Sequence, residues 1–308
     1  MSLQATVLLI LISTVLATSS AVRVNNGRDD DSALLEVGRA AANISPSKNV
    51  PALKIVSYNI RWRSGAQLQE IIQLFKTDTE IGGAAILGLQ EVDRNKKRTD
   101  NTNTAKLIAE QLGKHYAWAA PPPAKGGEEE ETGVAILSSY PLTEVHRIVL
   151  PHPGPGGRRR VGLGATVKIG NTPIRVYSLH AETRISVTKR LDQFNSVLQD
   201  LATYPANMPA IVLGDFNTWQ PGSLDKTSKL FLKQDFATPF PNNKKTFLRR
   251  ILGIPISLKL DWIWLRGLRA TAHGIDEKIS VSDHWPLWTT LEMSSEASSQ
   301  TRLHLVVK

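Results

Sequence analysis

Two polar side chains at the end of an apolar run are the first candidates for chemistry. Asp215 and Asn217 directly follow residues 211–214, which carry no charge and are preceded by Pro209. Such a run is typical of a buried strand, and side chains two residues apart point to the same side of a strand. Because a carboxylate and a carboxamide are costly to bury without partners, we expect both to face a cleft that holds a cation, a phosphate or a reactive water.

Other apolar runs of the chain also end in side chains that can bind a metal or move a proton. A turn or a helix cap accounts for any one of them. Six separate strand ends of this kind are harder to explain in that way, and the carboxyl ends of strands in an α/β sheet commonly form a site. We therefore predict one site that contains Asp215, Asn217 and six further residues: Asn59, Glu91, His180, Asp261, Asp283 and His284.

Strands and helices must position these residues, and the hydrophobic periodicity predicts both. Residues 67–75, 104–112 and 187–201 show the spacing of apolar side chains that is typical of helices. Strands alternate with helices in the first half of the chain and with other strands in the second half. We therefore predict a layered α/β fold with a mixed sheet, and strands over residues 53–60, 84–92, 133–137, 163–169, 173–180, 211–215, 258–265 and 285–291.

Composition and charge restrict the class of protein. The chain has 308 residues, of which 41% are hydrophobic and 21% are charged, so it is long enough for one large domain or two small ones. The absence of cysteine excludes disulfides, thiolate catalysis and cysteine-bound zinc. A formal net charge of +9 favours anionic partners such as nucleic acid, phosphate esters or acidic lipid surfaces. A basic surface that serves no site is the alternative.

The two ends of the chain differ from its middle. Residues 5–17 are apolar apart from three hydroxyl side chains, and small residues follow at positions 19–21. We predict that residues 1–21 form a cleaved signal peptide of a secreted or periplasmic protein, with an uncleaved amino-terminal membrane anchor as the alternative. Residues 22–51 are predicted to be a polar linker with a short helix, residues 52–293 one folded domain, and residues 294–308 a C-terminal tail.

The residues at the strand ends lie in short motifs of a known family. In these motifs the chain resembles the endonuclease/exonuclease/phosphatase superfamily, and they follow the family's order between residues 53 and 293. The resemblance implies a DNase I-like four-layer sandwich, in which two packed mixed β-sheets are flanked by helices, and an enzyme that hydrolyses phosphoesters with a divalent metal. The motifs are Tyr58-Asn59-Ile60, Leu89-Gln90-Glu91-Val92, Ser178-Leu179-His180, Gly214-Asp215-Phe216-Asn217, Leu260-Asp261-Trp262-Ile263 and Ser282-Asp283-His284.

The resemblance also implies a metal site. It places the metal on Glu91, with help from Asn59 and Asp283. A site that offers only hard oxygen ligands suits Mg²⁺, and Mn²⁺ is a workable substitute. A metal held there would polarise a phosphoryl oxygen and neutralise charge on the leaving group.

Five further residues have implied roles in catalysis. The resemblance implies that His284 faces the scissile phosphate and is oriented by Asp261, and that Asp215 positions or deprotonates the attacking water. Asn217 would donate hydrogen bonds to the phosphoryl oxygens as charge develops. His180 would give a proton or a hydrogen bond to the phosphate, although a histidine with a structural role in its strand is the alternative.

Signals for the substrate are weaker. Arg158, Arg159 and Arg160 follow a segment rich in Gly and Pro, and Arg190 lies on the helix after His180. We predict Arg158 and Arg190 as substrate contacts, with a solvated run of charge as the alternative. The anionic phosphoester substrate is expected to be nucleic acid or a phospholipid head group, bound by a monomer without an obligate protein partner. A catalytically inactive binding module on the same fold is the alternative, but the intact set of acid, amide and histidine side chains favours the enzyme.

Overall fold

The structure of the chain, a computed structural model, describes residues 33–39, 52–123 and 131–293. The predicted signal peptide, most of the predicted linker and the predicted C-terminal tail lie outside the described residues. Within these ranges, each helix is too short or too polar to cross a membrane.

Four α-helices and fourteen strands form the described part of the chain. The helices are α1 (Gly65–Thr77), α2 (Thr104–Leu112), α3 (Val187–Leu201) and α4 (Ser223–Leu232). The predicted helices are confirmed as α1, α2 and α3, and every predicted strand is confirmed with ends that differ by three residues or fewer. The strands are β1 (Leu35–Gly38), β2 (Ala52–Asn59), β3 (Ile86–Asp93), β4 (His115–Ala119), β5 (Thr132–Ser138), β6 (Leu142–Val149), β7 (Val161–Ile169), β8 (Thr172–His180), β9 (Ala210–Asp215), β10 (Phe247–Ile251), β11 (Ile254–Leu258), β12 (Asp261–Arg266), β13 (Arg269–Ile275) and β14 (Leu287–Glu292).

The strands form two large sheets and a separate hairpin. The seven-stranded sheet has the order β1-β4-β5-β3-β2-β14-β13, the five-stranded sheet has the order β12-β9-β8-β7-β6, and β10 pairs with β11. One neighbouring pair in each large sheet is parallel, β2 with β3 and β8 with β9, and the other pairs are antiparallel. Both large sheets are therefore mixed. The carboxyl ends of each parallel pair lie at the same edge of their sheet.

The two large sheets pack face to face around the main core. Ile55 and Ile136 of the seven-stranded sheet are buried in one cluster with Leu163 and Leu213 of the five-stranded sheet. Gly88 on β3 permits this close approach, because a Cβ atom at that position would overlap Leu213 Cδ1. The core between the sheets is therefore closely packed and apolar, and it holds the two sheets in a fixed relation.

The helices cover the two outer faces of the sheets. α1 buries Leu68, Ile71, Ile72 and Phe75, which repeat at helical spacing, against the seven-stranded sheet, and α2 packs on the same face. α3 and α4 pack on the outer face of the five-stranded sheet, where Phe194 of α3 joins an aromatic cluster with Phe216 and Phe231. The layers run helix, sheet, sheet, helix, which confirms the DNase I-like four-layer sandwich.

The short helix of the linker was predicted over residues 32–42, and at the centre of this range the prediction is wrong. Leu35–Gly38 form β1, which pairs with β4 at the edge of the seven-stranded sheet. Glu36 accepts a hydrogen bond of 2.6 Å from Tyr116 Oη and pairs with Arg94 at 3.1 Å. A Cβ atom on Gly38 would overlap the Tyr116 ring. Because these partners come from distant parts of the chain, local spacing could not predict the strand.

Candidate active site

The predicted site residues meet at one edge of the two sheets. β9 pairs with β8 on one side and with β12 on the other, so that His180, Asp215 and Asp261 lie side by side on three strands. In the other sheet, Asn59 at the end of β2 pairs with the residue that precedes Glu91. Strand register therefore brings together residues that are far apart in the sequence.

A cleft of about 350 Å³ opens at this edge. Asn59 and Asp261 are buried behind the cleft wall, where they bond to side chains of the wall. Three arginines, Arg61, Arg160 and Arg249, also line the cleft, so that its wall carries charges of both signs. The other six predicted residues line the cleft themselves: Glu91, His180, Asp215, Asn217, Asp283 and His284.

Unusual backbone geometry aims the segments that carry the acidic residues. Gly214 has a φ of 135°, and a Cβ atom there would overlap the carbonyl oxygen of Leu179, so glycine is required beside Asp215. Glu91 has a φ of 55° at a β-bulge between β3 and β5, and a bulge of this kind can re-aim a side chain. Asn217 has a φ of 51°. Strained backbone concentrates at functional sites, which supports a functional role for this cleft.

Asp215 lies at the centre of the hydrogen bonds in the site. Its Oδ1 accepts a hydrogen bond of 2.9 Å from the backbone N–H of Asn217, and its Oδ2 accepts one of 3.1 Å from Asn59 Nδ2. The Nε2 atoms of His180 and His284 lie 3.4 Å and 3.8 Å from Oδ2. Burial raises the pKa of Asp215 to about 7, although the positive charge of His284 opposes the shift. The carboxyl group can therefore exchange a proton with water near neutral pH.

Asp261 fixes both the orientation and the charge of His284. Its Oδ2 lies 2.8 Å from His284 Nδ1, and both side chains are buried. Burial alone would lower the pKa of His284, but the charge and hydrogen bond of Asp261 outweigh it and, with the charge of Asp215, raise the pKa to about 10. His284 is therefore an imidazolium at neutral pH, and its Nε2 lies on the side of Asp215.

Arg160 determines the state of His180. Arg160 Nη1 lies 3.3 Å from His180 Nδ1, and because a guanidinium can only donate, Nδ1 must be the unprotonated nitrogen. Burial, together with the charges of Arg160 and His284, lowers the pKa of His180 well below its ordinary value. His180 is therefore neutral with its proton on Nε2. Of the two roles implied by the resemblance, this geometry favours a hydrogen-bond donor.

A buried carboxylate holds two arginines beside the cleft. Glu182 accepts hydrogen bonds of 2.9 Å from Arg158 Nη2 and 3.2 Å from Arg160 Nε. Burial alone would raise the pKa of Glu182, but the hydrogen bond of Arg158 and the charge of Arg160 hold it below its ordinary value. Arg158 is thus engaged by Glu182, and Arg160 is the member of the arginine run that lines the cleft. The only signal in the sequence that Arg160 lines the cleft was its position as the last arginine before β7.

The structure places Arg190, a predicted substrate contact, behind the wall of the cleft. Its buried guanidinium donates hydrogen bonds to the backbone carbonyls of Glu182, Thr183 and Ile185, which take up most of its N–H groups. Thr183 lines the cleft, so Arg190 supports a segment of the cleft wall from behind. The spacing from His180 gave no sign of this, because the carbonyls come from the turn that precedes α3.

The residues of the cleft fit a divalent metal. Glu91, His180 and Asp215 have atoms of ligand type within 4.8 Å of one another, and so do Asp215, Asp261 and His284. Because His180 carries its proton on Nε2 and His284 is an imidazolium, the carboxylates of these groups are the ligands that remain. Glu91 Oε2 is buried and has no hydrogen-bond partner among the described residues. A buried carboxylate oxygen without a donor calls for a cation or a bound water, and hard oxygen ligands suit Mg²⁺.

Asn59 and Asp283 contribute in different ways. Asn59 Oδ1 accepts a hydrogen bond of 3.0 Å from the backbone of Arg61, while its Nδ2 donates to Glu91 Oε1 at 3.3 Å and to Asp215. Asn59 thus orients two carboxylates, and its own oxygen is engaged by the backbone. Asp283 Oδ2 pairs with Arg61 at 2.8 Å, and its Oδ1 is buried without a hydrogen-bond partner within the described ranges. Oxygens of Glu91 and Asp283 therefore remain available to a metal.

Sequence and structure comparisons place the chain in a family. The model of the Endonuclease/Exonuclease/phosphatase family matches residues 56–284, and the chain belongs to that family. Its fold is that of phosphoesterases. No curated protein sequence matches the chain.

Solved structures of the same fold include several relatives of low sequence identity. An endonuclease/exonuclease/phosphatase from Beutenbergia cavernae is 17% identical, with a TM-score of 0.59 over 80% of this chain and 72% of the other. The human Nocturnin catalytic domain with bound sulfate is 19% identical, with a TM-score of 0.59 over 79% of this chain and 94% of the other. D. rerio TDP2 complexed with a single-strand DNA product is 15% identical, with a TM-score of 0.61 over 79% of this chain and all of the other (100%). At these identities the likeness concerns the fold alone.

Proposed function

We propose that the protein is a metal-dependent phosphodiesterase that uses Mg²⁺ to hydrolyse an anionic phosphodiester by attack of water. One observation carries the proposal. The Asp261–His284 pair stands beside Asp215, in a cleft where a buried oxygen of Glu91 has no partner among the described residues. Membership of a family of phosphoester hydrolases supports the same reaction class.

Glu91 and Asp283 would hold the metal, and Asn59 would orient the Glu91 carboxylate through its 3.3 Å hydrogen bond. A metal bound there supplies polarisation of a phosphoryl oxygen and compensates charge on the leaving group. Because the available ligands are hard oxygens, Mg²⁺ is the native metal in this proposal, and Mn²⁺ substitutes for it.

Asp215 and His284 divide the work of proton transfer and charge stabilisation. Asp215, whose pKa lies near 7, orients the attacking water and accepts its proton. His284 stays protonated because Asp261 holds it, so its positive charge stabilises the negative charge that develops on the phosphoryl group. The two roles require residues whose pKa values differ: burial raises the pKa of Asp215 to about 7, and Asp261, with the charge of Asp215, raises that of His284 to about 10.

His180 and Asn217 position the phosphate. The proton on His180 Nε2 makes this residue a hydrogen-bond donor toward the Asp215 side of the cleft. Asn217 Nδ2 donates one hydrogen to the carbonyl of Ala181 at 2.9 Å, which fixes the amide and leaves its second hydrogen for a phosphoryl oxygen. Neither group has to change its charge during the reaction.

The substrate in this proposal is a phosphodiester of nucleic acid or of a phospholipid head group. Arg61, Arg160 and Arg249 line the cleft and would attract either one. Among proteins of the same fold, D. rerio TDP2 is complexed with single-strand DNA product, and the human Nocturnin catalytic domain holds a sulfate anion. A monomer suffices for this site, because one chain supplies all of its residues.

A substrate panel tests the proposed function. Bis-p-nitrophenyl phosphate, plasmid DNA, RNA and phospholipid vesicles are incubated with the protein, with Mg²⁺ and with EDTA. Turnover of at least one substrate with Mg²⁺, its loss in EDTA and its return with added Mg²⁺ is the expected result. A folded protein that binds the anions but turns over none of them would instead be an inactive binding module.

Export of the protein is a separate part of the proposal. It rests on the apolar segment 5–17 and the small residues that follow it. We expect the mature chain to start near residue 22 and to be recovered from the medium or the periplasm. Amino-terminal sequencing of the recovered protein checks this, and intact Met1 in the soluble cytosol would contradict it.

A further inference from the structure

The hairpin of β10 and β11 carries an unusual concentration of exposed apolar side chains. Leu252 is 98% exposed, Ile254 66% and Ile251 49%, and Ile256 follows on the same hairpin. Single exposed apolar residues are normal on protein surfaces, but a contiguous apolar patch marks an interaction site. The hairpin tip, defined as residues 251–254, is such a patch.

The turn of the hairpin has an unfavourable residue at its centre. Leu252 and Gly253 have φ values of 50° and 81°, and two-residue hairpin turns with positive φ at both positions favour Asn-Gly or Asp-Gly. Leucine is bulky and rarely adopts positive φ, so it adds strain at this position. Since almost the whole side chain is exposed, it gains little from burial within the described residues. Leu252 is therefore suited to a contact outside the chain.

One face of the hairpin connects the cleft with the tip. The register pairs Phe247 with Leu258, Arg249 with Ile256, and Ile251 with Ile254, and alternate positions share a face. Three residues at the base of this face, Phe247, Leu258 and Arg249, line the cleft. This face thus runs from the cleft wall to the tip, and Arg249 is the charged residue on it among apolar ones.

The base of the hairpin is fixed to the segment that carries His284. The backbone N–H of Leu248 donates a hydrogen bond of 2.8 Å to the backbone carbonyl of Asp283, and the backbone N–H of Trp285 donates one of 2.7 Å to the backbone carbonyl of Thr246. The ring of Phe247 packs edge-on against His284, with 5.0 Å between the ring centres. An isolated two-stranded hairpin is marginally stable in water, so these contacts hold it in place. Whatever the tip binds is therefore held at a fixed distance from the cleft.

The charge around the hairpin has one sign. Residues 241–260 contain five Lys and Arg residues and no Asp or Glu. Four of the five are exposed: Lys244, Lys245, Arg249 and Arg250. Arg249 and Arg250 directly precede the apolar tip, and basic residues next to exposed apolar ones match a surface whose outer layer is anionic and whose interior is apolar.

We propose that the hairpin tip inserts into the outer layer of an anionic phospholipid bilayer and so holds the cleft at the membrane surface. A bilayer fits better than a protein partner, because the apolar groups project from a tip, whereas a stable protein interface needs roughly 20–30 residues on each side. A few inserted apolar side chains together with basic residues are enough for reversible membrane binding. One consequence rests on the proposed function: the phosphodiester substrate is then presented to the cleft at a bilayer surface.

A single fluorescent label tests insertion directly. Because the chain contains no cysteine, Leu252→Cys gives one thiol for an environment-sensitive dye such as nitrobenzoxadiazole. The matched control is Leu232→Cys, which replaces another exposed leucine at the end of α4. Both labelled full-length chains are mixed with vesicles of phosphatidylcholine and phosphatidylglycerol, and with vesicles of phosphatidylcholine alone.

The label at position 252 should shift to shorter wavelength on anionic vesicles and be quenched by lipids that carry a quencher in the acyl region, while the label at position 232 should change little. The affinity of the double variant Leu252→Ser/Ile254→Ser for anionic vesicles should be lower by a factor of about ten or more, because two aliphatic side chains no longer leave water on binding. No change at position 252, or an equal change on neutral vesicles, overturns the proposal. A change at position 252 that needs no lipid and grows with protein concentration overturns it in favour of a second copy of the chain.

A soluble substrate separates this inference from the proposed function. The double variant replaces residues outside the cleft wall, so its Mg²⁺-dependent hydrolysis of bis-p-nitrophenyl phosphate should equal that of the parent. Hydrolysis without vesicle insertion refutes the inference and leaves the phosphodiesterase intact. Insertion without hydrolysis of any substrate refutes the phosphodiesterase and leaves the membrane-binding surface. Circular dichroism checks that the variants are folded.

Discussion

At the scale of single residues, Glu91 and His284 line the same cleft but would act through different interactions. Glu91 offers a buried oxygen without a partner among the described residues, whereas His284 is a cation whose Nδ1 is bonded to Asp261 at 2.8 Å. A metal ligand acts through affinity for the ion. A charged imidazole acts mainly where negative charge develops in the transition state.

Substitution should separate these two roles. Glu91→Gln removes the ligand charge at nearly constant shape, so Mg²⁺ affinity and rate should fall together and high Mg²⁺ should restore part of the rate. His284→Ala should lower kcat by roughly 10²–10⁴, with Mg²⁺ affinity nearly unchanged. Asp261→Asn should give a milder form of the His284→Ala defect, because the imidazole remains but loses its charge partner.

Calorimetric titration with Mg²⁺ and hydrolysis of a chromogenic phosphodiester measure the two effects, and circular dichroism confirms folding. Equal loss of metal affinity in His284→Ala and Glu91→Gln would make His284 a ligand. Full activity of folded Glu91→Gln in EDTA would rule out the metal mechanism.

At the scale of elements, the segment before β7 delivers Arg160 to the cleft. Glu182 binds Arg158 and Arg160, and the segment's own backbone lies close to that carboxylate, since a Cβ atom on Gly154 would lie 2.6 Å from Glu182 Cδ. Glycine at position 154 and the buried carboxylate therefore fix the segment, and the segment fixes Arg160 against His180. The arginine run thus contains residues with different surroundings.

Arg160→Ala should lower turnover of small and polymeric substrates alike, because His180 loses the donor that fixes its tautomer. Arg159→Ala is the matched control, since Arg159 is exposed next in sequence. It should only raise KM for a polyanion and flatten the salt dependence of that KM. The two variants are compared on bis-p-nitrophenyl phosphate and on plasmid DNA over a range of salt concentrations. If both variants lose activity only on DNA, the contact between Arg160 and His180 has no role in turnover.

At the scale of the whole molecule, the spacing of the two sheets holds the two halves of the site together. Asn59 and Glu91 belong to one sheet and Asp215 belongs to the other. Asn59 Nδ2 donates a hydrogen bond to Asp215 Oδ2 across the interface between the sheets. The side chain of Leu213 fills the space that Gly88 leaves in the opposite sheet. Packing at this interface therefore affects stability and the geometry of the site together.

Gly88→Ala should lower the free energy of unfolding by about 1–3 kcal/mol, because the added methyl group overpacks a rigid core. Leu213→Val shortens the side chain that the added methyl group would meet, so the double variant Gly88→Ala/Leu213→Val should recover part of the lost free energy of unfolding. Urea denaturation of the parent, both single variants and the double variant gives the coupling energy. Additive effects in this cycle would contradict the close contact between the two positions.

Folding also buries Lys114 between α2 and β4, where its Nζ donates a hydrogen bond of 2.7 Å to Ser139 Oγ. Burial lowers its pKa from 10.5 to about 8, so the unfolded chain holds more protons than the folded chain between these pH values. The contribution of Lys114 to the free energy of unfolding therefore rises with pH across that window. Below about pH 8, where Lys114 is charged in both states, burial of its charge lowers the free energy of unfolding by the full amount.

Lys114→Met should raise the free energy of unfolding at pH 7 by about 1–3 kcal/mol and should have a smaller effect near pH 10.5. Lys189→Met is the control, because it removes a lysine that is exposed on α3 and so leaves the buried site of Lys114 unchanged. Urea denaturation at several pH values measures both variants. A neutral or destabilising effect of Lys114→Met at pH 7 would show that the fold accommodates the charge.

Much of the fold followed from local pattern. Apolar runs and helical spacing placed α1, α2, α3 and eight strands, because burial of one face imposes a period that any short window displays. The strands that bury none of their residues, β1, β6, β10, β11 and β13, were not predicted. β6, for example, is mostly half-buried or exposed, and β10 and β11 are exposed along most of their length.

The sequence by itself determined which residues could do chemistry, since polar side chains at the ends of apolar runs are a local feature. It placed Glu91, Asp215, Asp261 and His284 at strand ends and their motifs in family order. Only the tertiary structure decided their neighbours and therefore their charge. The proton on His180, the pKa of Asp215 and the bracing role of Arg190 all depend on groups that strand pairing and sheet packing bring within a few ångströms. Electrostatic interactions in a buried site depend on distance in space, and spacing along the chain does not contain that distance.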